Sequence, residues 1–191
     1  FENQIKTWPL YFTPKIIPSS NKKVFYIGDA FNGFLPTLAQ GAGQSIESAF
    51  EDAIAIPDTL ALVVQAERKG ANAIIIDCMA DPGLAAAREI SSVPVFGPSE
   101  TGMHTVSALC HKFSIITVLS SAIPMFENLS KVYGCSEKLA SVRAIDVPVL
   151  DLDKDRDRII RLVADKAEQA IANDGAHGIL FGCTGLFGAA G

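Results

Sequence analysis

The chain has 191 residues, of which 49% are hydrophobic and 19% charged, with 16 Lys and Arg against 21 Asp and Glu for a formal net charge of −5. A chain of this length buries roughly 70% of the surface its unfolded form would expose, so its composition excludes disorder, collagen and coiled coil, and folding requires neither disulfides nor a structural metal. The acidic balance and scattered basic residues argue against nucleic acid as a partner, because neutralising phosphates takes clustered Lys and Arg; an anionic membrane surface is disfavoured for the same reason.

Read in chain order, residues 1–40 are the least informative. Gln4–Trp8 reads as a first strand, Lys15–Asn21 as a loop and Lys23–Ile27 as a second strand. Gly41-Ala42-Gly43 is a fragment of the dinucleotide-binding fingerprint without its third glycine or a convincing strand before it, so it does not predict a nucleotide site. The chain opens on Phe1 without a signal-peptide pattern. Apolar runs such as Ala73–Ile76 and Ile115–Leu119 fall far short of the ~20 residues a membrane helix needs, and a cytoplasmic location is the expectation.

From Ser45 onward helical and strand patterns alternate. Ser48 and Glu51 read as a capping box ahead of a helix over Ala53–Lys69, stopped by Gly70. Ala73–Asp77 is a β-branched run with little alternation, the pattern of a strand buried on both faces. Asp81-Pro82 supplies an N-cap and a first-turn proline for a helix through Glu89. There follow a strand at Val93–Phe96, a helix at Thr101–Lys112, a strand at Phe113–Leu119, a helix at Pro124–Tyr133, a strand near Ala144–Leu150, a helix at Asp155–Asn173 and a strand at Gly178–Phe181. The succession predicts an α/β fold with mostly parallel sheets flanked by helices.

An internal repeat adds to this. Gly70-Ala-Asn-Ala-Ile-Ile-Ile-Asp-Cys78 aligns with Gly175-Ala-His-Gly-Ile-Leu-Phe-Gly-Cys183 at a constant offset, matching at Gly, Ala, Ile and Cys. Such a match also arises by chance in α/β proteins; its alternative is a molecule of two pseudo-symmetric lobes with a cleft between them. In open parallel sheets ligands bind beyond the carboxyl ends of the strands, where each copy places its cysteine.

The chain has four cysteines, at 78, 110, 135 and 183, without a C-x-x-C pair, which favours free thiols over a disulfide framework. Cys78 and Cys183 fall between a strand and the next helical segment, where unpaired amides and the helix dipole favour a thiolate. Two such thiols facing across a cleft suit removal of a proton from one face of a carbon acid and its return to the other. The competing reading is that each is a small apolar residue at a strand end. Cys110 and Cys135 read as structural. Other strand ends offer Ser120 and Ser121, whose hydroxyls either hold a substrate oxygen or cap a helix; Ser99 and Glu100, which either line the cleft or begin the next helix; and Asp81, which reads as a cap. His104 and His111 are two helical turns apart, too far to share an ion comfortably, so no metal site is expected. Gly97-Pro98-Ser99 has the start of a hydrolase nucleophile elbow but lacks its second glycine, since position 101 is Thr.

The stretch Asp77-Cys78-Met-Ala-Asp81-Pro82-Gly83-Leu84, with Ala-Ala-Ala-Arg88-Glu89, Val93-Pro-Val95 and Phe181-Gly182-Cys183-Thr184-Gly185, resembles the aspartate/glutamate/hydantoin racemase superfamily, and Cys-x-x-Asp-Pro-Gly-Leu is similar to its hydantoin and allantoin racemase branch. The resemblance covers roughly Gln44 to Gly185. It implies a cofactor-independent racemase or epimerase of a small molecule, with Cys78 and Cys183 as catalytic thiols at the interface of two lobes, Thr184 as a substrate-binding hydroxyl beside the second thiol, and a homo-oligomeric assembly. Lobe one would comprise about residues 1–95 with the C-terminal end, and lobe two about residues 96–175; the family fold would continue beyond Gly191, and the Asn-Pro-Asn-Ser/Thr loop of many members is not found in residues 1–40. The same resemblance leaves open an amino-acid racemase or a maleate-type isomerase. A reading from another class is a non-catalytic two-lobed binding protein with inert cysteines.

Overall fold

The computed structural model describes residues 24–28 and 44–186. Gln4–Trp8, Lys15–Asn21 and Gly41–Gly43 lie outside them. The described chain forms two three-stranded parallel sheets.

In the first sheet, β1 (Val24–Gly28), β2 (Ala73–Asp77) and β3 (Val95–Phe96) lie in the order β1-β2-β3. Helix α1 (Gln44–Arg68) packs with α2 (Leu84–Ile90) over β2, and Val63, Ala66, Ile74, Ile76, Leu84, Ala87 and Val95 form their shared core. Burial along β2 alternates, with Ile74 and Ile76 at 0% exposure and Ala73, Ile75 and Asp77 half-buried. The expectation of equal burial on both faces is corrected accordingly: the β-branched run reflects strand preference more than two-sided cover. Helix α1 runs from Gln44 and includes Pro57. The Ser48–Glu51 capping box is therefore not its start, since both residues lie inside the helix.

In the second sheet, β4 (Phe113–Thr117) is central, between β5 (Leu139–Ala144) and β6 (Gly178–Phe181). Every residue of β4 is buried. Phe113 and Ile115 face a core with Phe126 of α4 (Ile123–Val132) and Met103 of α3 (Pro98–Leu109), whereas Ile116 joins Ile159 and Val163 of α5 (Arg156–Asp174) on the other face. Period-two orientation makes this possible, since successive side chains of a strand point to opposite faces.

Three boundaries differ from the sequence reading. The strand expected near Ala144–Leu150 lies earlier, at Leu139–Ala144, and it was obscured because Ser141 and Arg143 are polar. Both turn toward Asp174 at the end of α5: Arg143 donates through Nε at 2.7 Å and Nη2 at 2.9 Å, and the Ser141 hydroxyl at 2.6 Å. Past β5 the chain adopts φ +53° at Asp146 and then enters a 3-10 turn at Val149–Asp151. Second, α3 starts at Pro98 rather than Thr101, which places Ser99 and Glu100 inside its first turn. Third, β6 pairs with β4, Ile116 opposite Phe181, so the second sheet continues beyond residue 175 and the assignment of the following strand to lobe one is corrected.

The Arg143 guanidinium, with the Ser141 hydroxyl, holds the Asp174 carboxyl below its ordinary value of 3.8. A depressed carboxylate stabilises the fold fully above that ordinary value and loses its contribution as the pH falls toward the lowered one. Asp174→Asn is therefore expected to lower the urea midpoint at neutral pH, with the deficit shrinking as pH drops to about 2. A deficit that stays constant over that range counts against the assignment.

Candidate active site

Parallel pairing puts the carboxyl ends of β4, β5 and β6 on one edge of the second sheet. Cys183 leaves that edge two residues after β6 and leads into a 3-10 turn at Thr184–Leu186, whose Leu186 N–H donates to the Cys183 carbonyl at 3.1 Å. Gly182, between strand and thiol, is required by close approach: a Cβ there would lie 2.9 Å from Ile115 Cγ2 and from Phe126 Cε2, both in fully buried side chains. The Gly182 N–H is in turn held by the Ile116 carbonyl at 2.7 Å. Thr184 and Cys183 are half-buried.

On the same edge, Ser120 and Ser121 open the 3-10 turn Ser120–Ala122 after β4. Ser120 is exposed, and both its amide (3.1 Å) and its hydroxyl (2.7 Å) donate to Asp146 Oδ1 beyond the end of β5. Sequence reasoning missed Asp146. The available signal was an acidic residue at a strand end two positions before Pro148, where Asp tolerates the positive φ that other residues avoid.

Cys78 directly follows β2 at the carboxyl edge of the first sheet and is half-buried. Its N–H donates to the Ile76 carbonyl at 2.9 Å, and its carbonyl accepts the Asp81 N–H at 3.0 Å, which closes a tight turn over residues 78–81. Asp77 beside it is half-buried, and burial pushes its carboxyl above the ordinary value.

Asp81 does not cap the helix that follows it. Its residue has φ +50°, α2 begins three residues later behind Gly83, and the carboxylate reaches instead to α3, where Oδ1 accepts the Ser99 N–H at 3.1 Å and Oδ2 the Glu100 N–H at 2.8 Å. The Tyr133 hydroxyl donates to Oδ2 at 2.8 Å. Burial pushes the Asp81 carboxyl up, against the pull of the Glu100 amide, the Tyr133 hydroxyl and the Ser99 amide, while burial and then the bond to Asp81 raise the Tyr133 phenol.

Ser99 is fully buried and its hydroxyl donates to the Met79 carbonyl, so it belongs to the packing between the lobes and does not line a cleft. The same contact leaves it no role as an elbow nucleophile. Glu100 uses both carboxylate oxygens on Arg88, which also donates from Nε to the Val95 carbonyl at 2.9 Å. The Arg88 guanidinium, chiefly through its hydrogen bonds to the Glu100 carboxylate, holds that carboxyl below its ordinary value. The two sequence-predicted residues thus meet each other and Asp81, whereas Ser120, Cys183 and Thr184 share the other edge. Cys135 is buried in the second-lobe core and Cys110 is half-buried behind α3, consistent with structural roles. Among the described residues, no group of three or more His, Cys, Asp or Glu is placed to hold a metal ion, and no helix is long and apolar enough to cross a membrane.

The family model for Asp/Glu/hydantoin racemase matches residues 32–191. This chain belongs to the Asp/Glu/hydantoin racemase family. It is 40% identical to a hydantoin racemase of Rhizobium meliloti over 142 residues, covering 74% of this chain and 59% of the relative, and 34% identical over 142 residues to a hydantoin racemase of Pseudomonas sp. (strain NS671), covering 74% and 57%. The chain thus spans somewhat under two thirds of the length of these racemases. Among solved structures, the allantoin racemase from Klebsiella pneumoniae superposes with a TM-score of 0.70 at 31% identity, covering 82% of this chain and 60% of that one. The allantoin racemase from Pseudomonas fluorescens, at 23% identity, shares the fold with a TM-score of 0.63 over 86% of this chain and 78% of its own. The two-lobed racemase fold expected from the sequence is the fold of this family.

Gly182→Ala is expected to destabilise the racemase fold by about 1–3 kcal/mol, the cost of forcing a methyl into filled space. Denaturant midpoints test this, and an unchanged midpoint would show that Ile115 and Phe126 yield freely.

Proposed function

We propose that the protein is a racemase or epimerase acting at a carbon that bears a hydrogen next to a carbonyl, with a 5-substituted hydantoin or allantoin as substrate class. The observation that carries this reading is the pair of half-buried cysteines at carboxyl strand ends, Cys78 after β2 and Cys183 after β6. The names of the relatives, hydantoin and allantoin racemases, support the substrate class.

In this mechanism one cysteine reacts as thiolate: the carbon–hydrogen bond breaks, its proton goes to sulfur, and the electron pair passes into the adjacent carbonyl as an enolate. The other thiol gives its proton to the opposite face of the same carbon. The carbonyl acidifies the carbon, so the thiols need no further electron sink. The enzyme ends with the two sulfurs' protonation states exchanged.

Substrate contacts are assigned to the second edge. The Ser121 and Thr184 hydroxyls donate to ring carbonyl oxygens, and Ser120, whose proton is committed to Asp146, offers its oxygen as acceptor to a ring N–H. Glu100 contributes by way of Arg88 to the shape of the lobe boundary. The reading places the protein in the cytoplasm as a homo-oligomer that needs no cofactor.

Optical rotation of enantiopure hydantoins, allantoin, aspartate and glutamate tests the activity. Loss of rotation is expected with a hydantoin or allantoin. Loss only with the amino acids would move the assignment to another branch, and loss with none would refute it. A second expectation concerns the division of labour. Cys78→Ser and Cys183→Ser should each abolish racemisation. In D₂O each should keep slow exchange of the carbon-bound hydrogen for only one enantiomer, opposite in the two variants. Cys110→Ser and Cys135→Ser should retain turnover, apart from a stability loss of roughly 1 kcal/mol. Full racemisation by either folded Cys78→Ser or Cys183→Ser protein contradicts the two-thiol mechanism.

A further inference from the structure

The turn that carries Cys78 starts in the first lobe but is anchored in the second. The Cys78 carbonyl is bonded to the Asp81 N–H, and the two residues between them are half- to fully buried. The Met79 side chain is 8% exposed and sits in the second-lobe core with Met103, Phe113, Ile115 and Phe126. The Met79 carbonyl receives the Ser99 hydroxyl of α3. Asp81 closes the turn and spends its carboxylate entirely across the boundary, on the amides of Ser99 and Glu100 and the hydroxyl of Tyr133 at the end of α4. The fit leaves no slack on that side: a Cβ at Gly97 would lie 2.5 Å from Asp81 Cγ.

We propose that Asp81 is a positioning residue for Cys78, clamping the 78–81 turn to α3 and α4 so that the thiol is held at a fixed place relative to the second sheet, from which Cys183 projects. The chemistry requires an acidic side chain here. Three donors converge on two oxygens, so an acceptor-only group satisfies all of them, whereas an amide would turn its own N–H₂ against one of the donors. The residue must also tolerate φ +50°, which Asp and Asn do better than other non-glycine residues. Reaction geometry is sensitive to such a clamp, since a displacement of about 1 Å at the reacting group can cost on the order of 100-fold in rate.

The proposal rests on the reading of Cys78 as a reacting thiol, and the test separates the two. Asp81→Asn keeps the backbone conformation and one acceptor oxygen. It is expected to lower kcat on a hydantoin about 10- to 100-fold with little change in KM, because the substrate's own contacts are untouched. In the same protein the rate of iodoacetamide alkylation of Cys78, read by peptide mass spectrometry, should rise severalfold while that of Cys183 stays as in the wild type. Tyr133→Phe removes only the α4 tie and should shift both readouts in the same direction by less. It also serves as the second variant should Asp81→Asn fold poorly. If the wild type racemises no hydantoin, the functional reading fails, but a selective change at Cys78 in the alkylation measurement still supports the clamp. A folded Asp81→Asn protein with unchanged Cys78 alkylation and unchanged kcat overturns it, as does an equal change at both cysteines, which would indicate general loosening.

Discussion

The described structure turns on one buried carboxylate. Asp81 is 6% exposed, and burying a charged group without partners costs far more than a domain can spare. Three donors from the second lobe offset that cost, and the fully buried Ser99 amide would itself be left unmatched if the carboxylate moved, at about 1–3 kcal/mol, whereas the half-buried Glu100 amide and Tyr133 hydroxyl would lose less. The lobes are therefore joined by mutual dependence, in addition to the Met79 side chain that the first lobe lends to the second-lobe core. The bidentate Arg88–Glu100 pair lies alongside and is more exposed, so it counts mainly as geometry.

The sheets supply the remaining order. In each, all strands run parallel, so every carboxyl end in a sheet emerges on a single edge and the connecting turns collect there. β4 is buried along its whole length, and its neighbours β5 and β6 inherit their height from its register, Thr117 opposite Ala144 and Ile116 opposite Phe181. That register brings Ser120, Asp146 and Cys183 to one edge although they are far apart in sequence. It is this edge that the proposed function uses, with Cys183 as one of the two reacting thiols and the neighbouring hydroxyls meeting the oxygens of the substrate.

How much was legible depended on how local each signal was. Ala73–Asp77 and Gly178–Phe181 were readable to the residue because apolar β-branched or aromatic runs bounded by Gly and Asp or Gly have few other uses. β5 was displaced by several residues because Ser141 and Arg143 look like loop residues until Asp174, some thirty positions later, is seen to receive them. Asp81 was legible as a cap, and it is one, but the helix it caps is α3; a capping signature names the donor type and cannot name which helix comes near. Ser99 and Glu100 were picked out as strand-end residues, whereas the helix start at Pro98 turns one into the core and the other onto Arg88. The placement of Cys78 and Cys183 after strands is legible because each follows an apolar run that the structure forms as a strand, β2 and β6.

Under the proposed function the thiols of Cys78 and Cys183, each at the end of a strand in a different lobe, work on one carbon from opposite sides. The most direct measurement treats the native protein with a short bifunctional thiol reagent and maps the products by peptide mass spectrometry, with and without a hydantoin. The expected product is a cross-link joining the Cys78 and Cys183 peptides, suppressed by the hydantoin, if the two thiols serve one carbon. Separate labelling of the two cysteines without a cross-link, unaffected by the hydantoin, would contradict it.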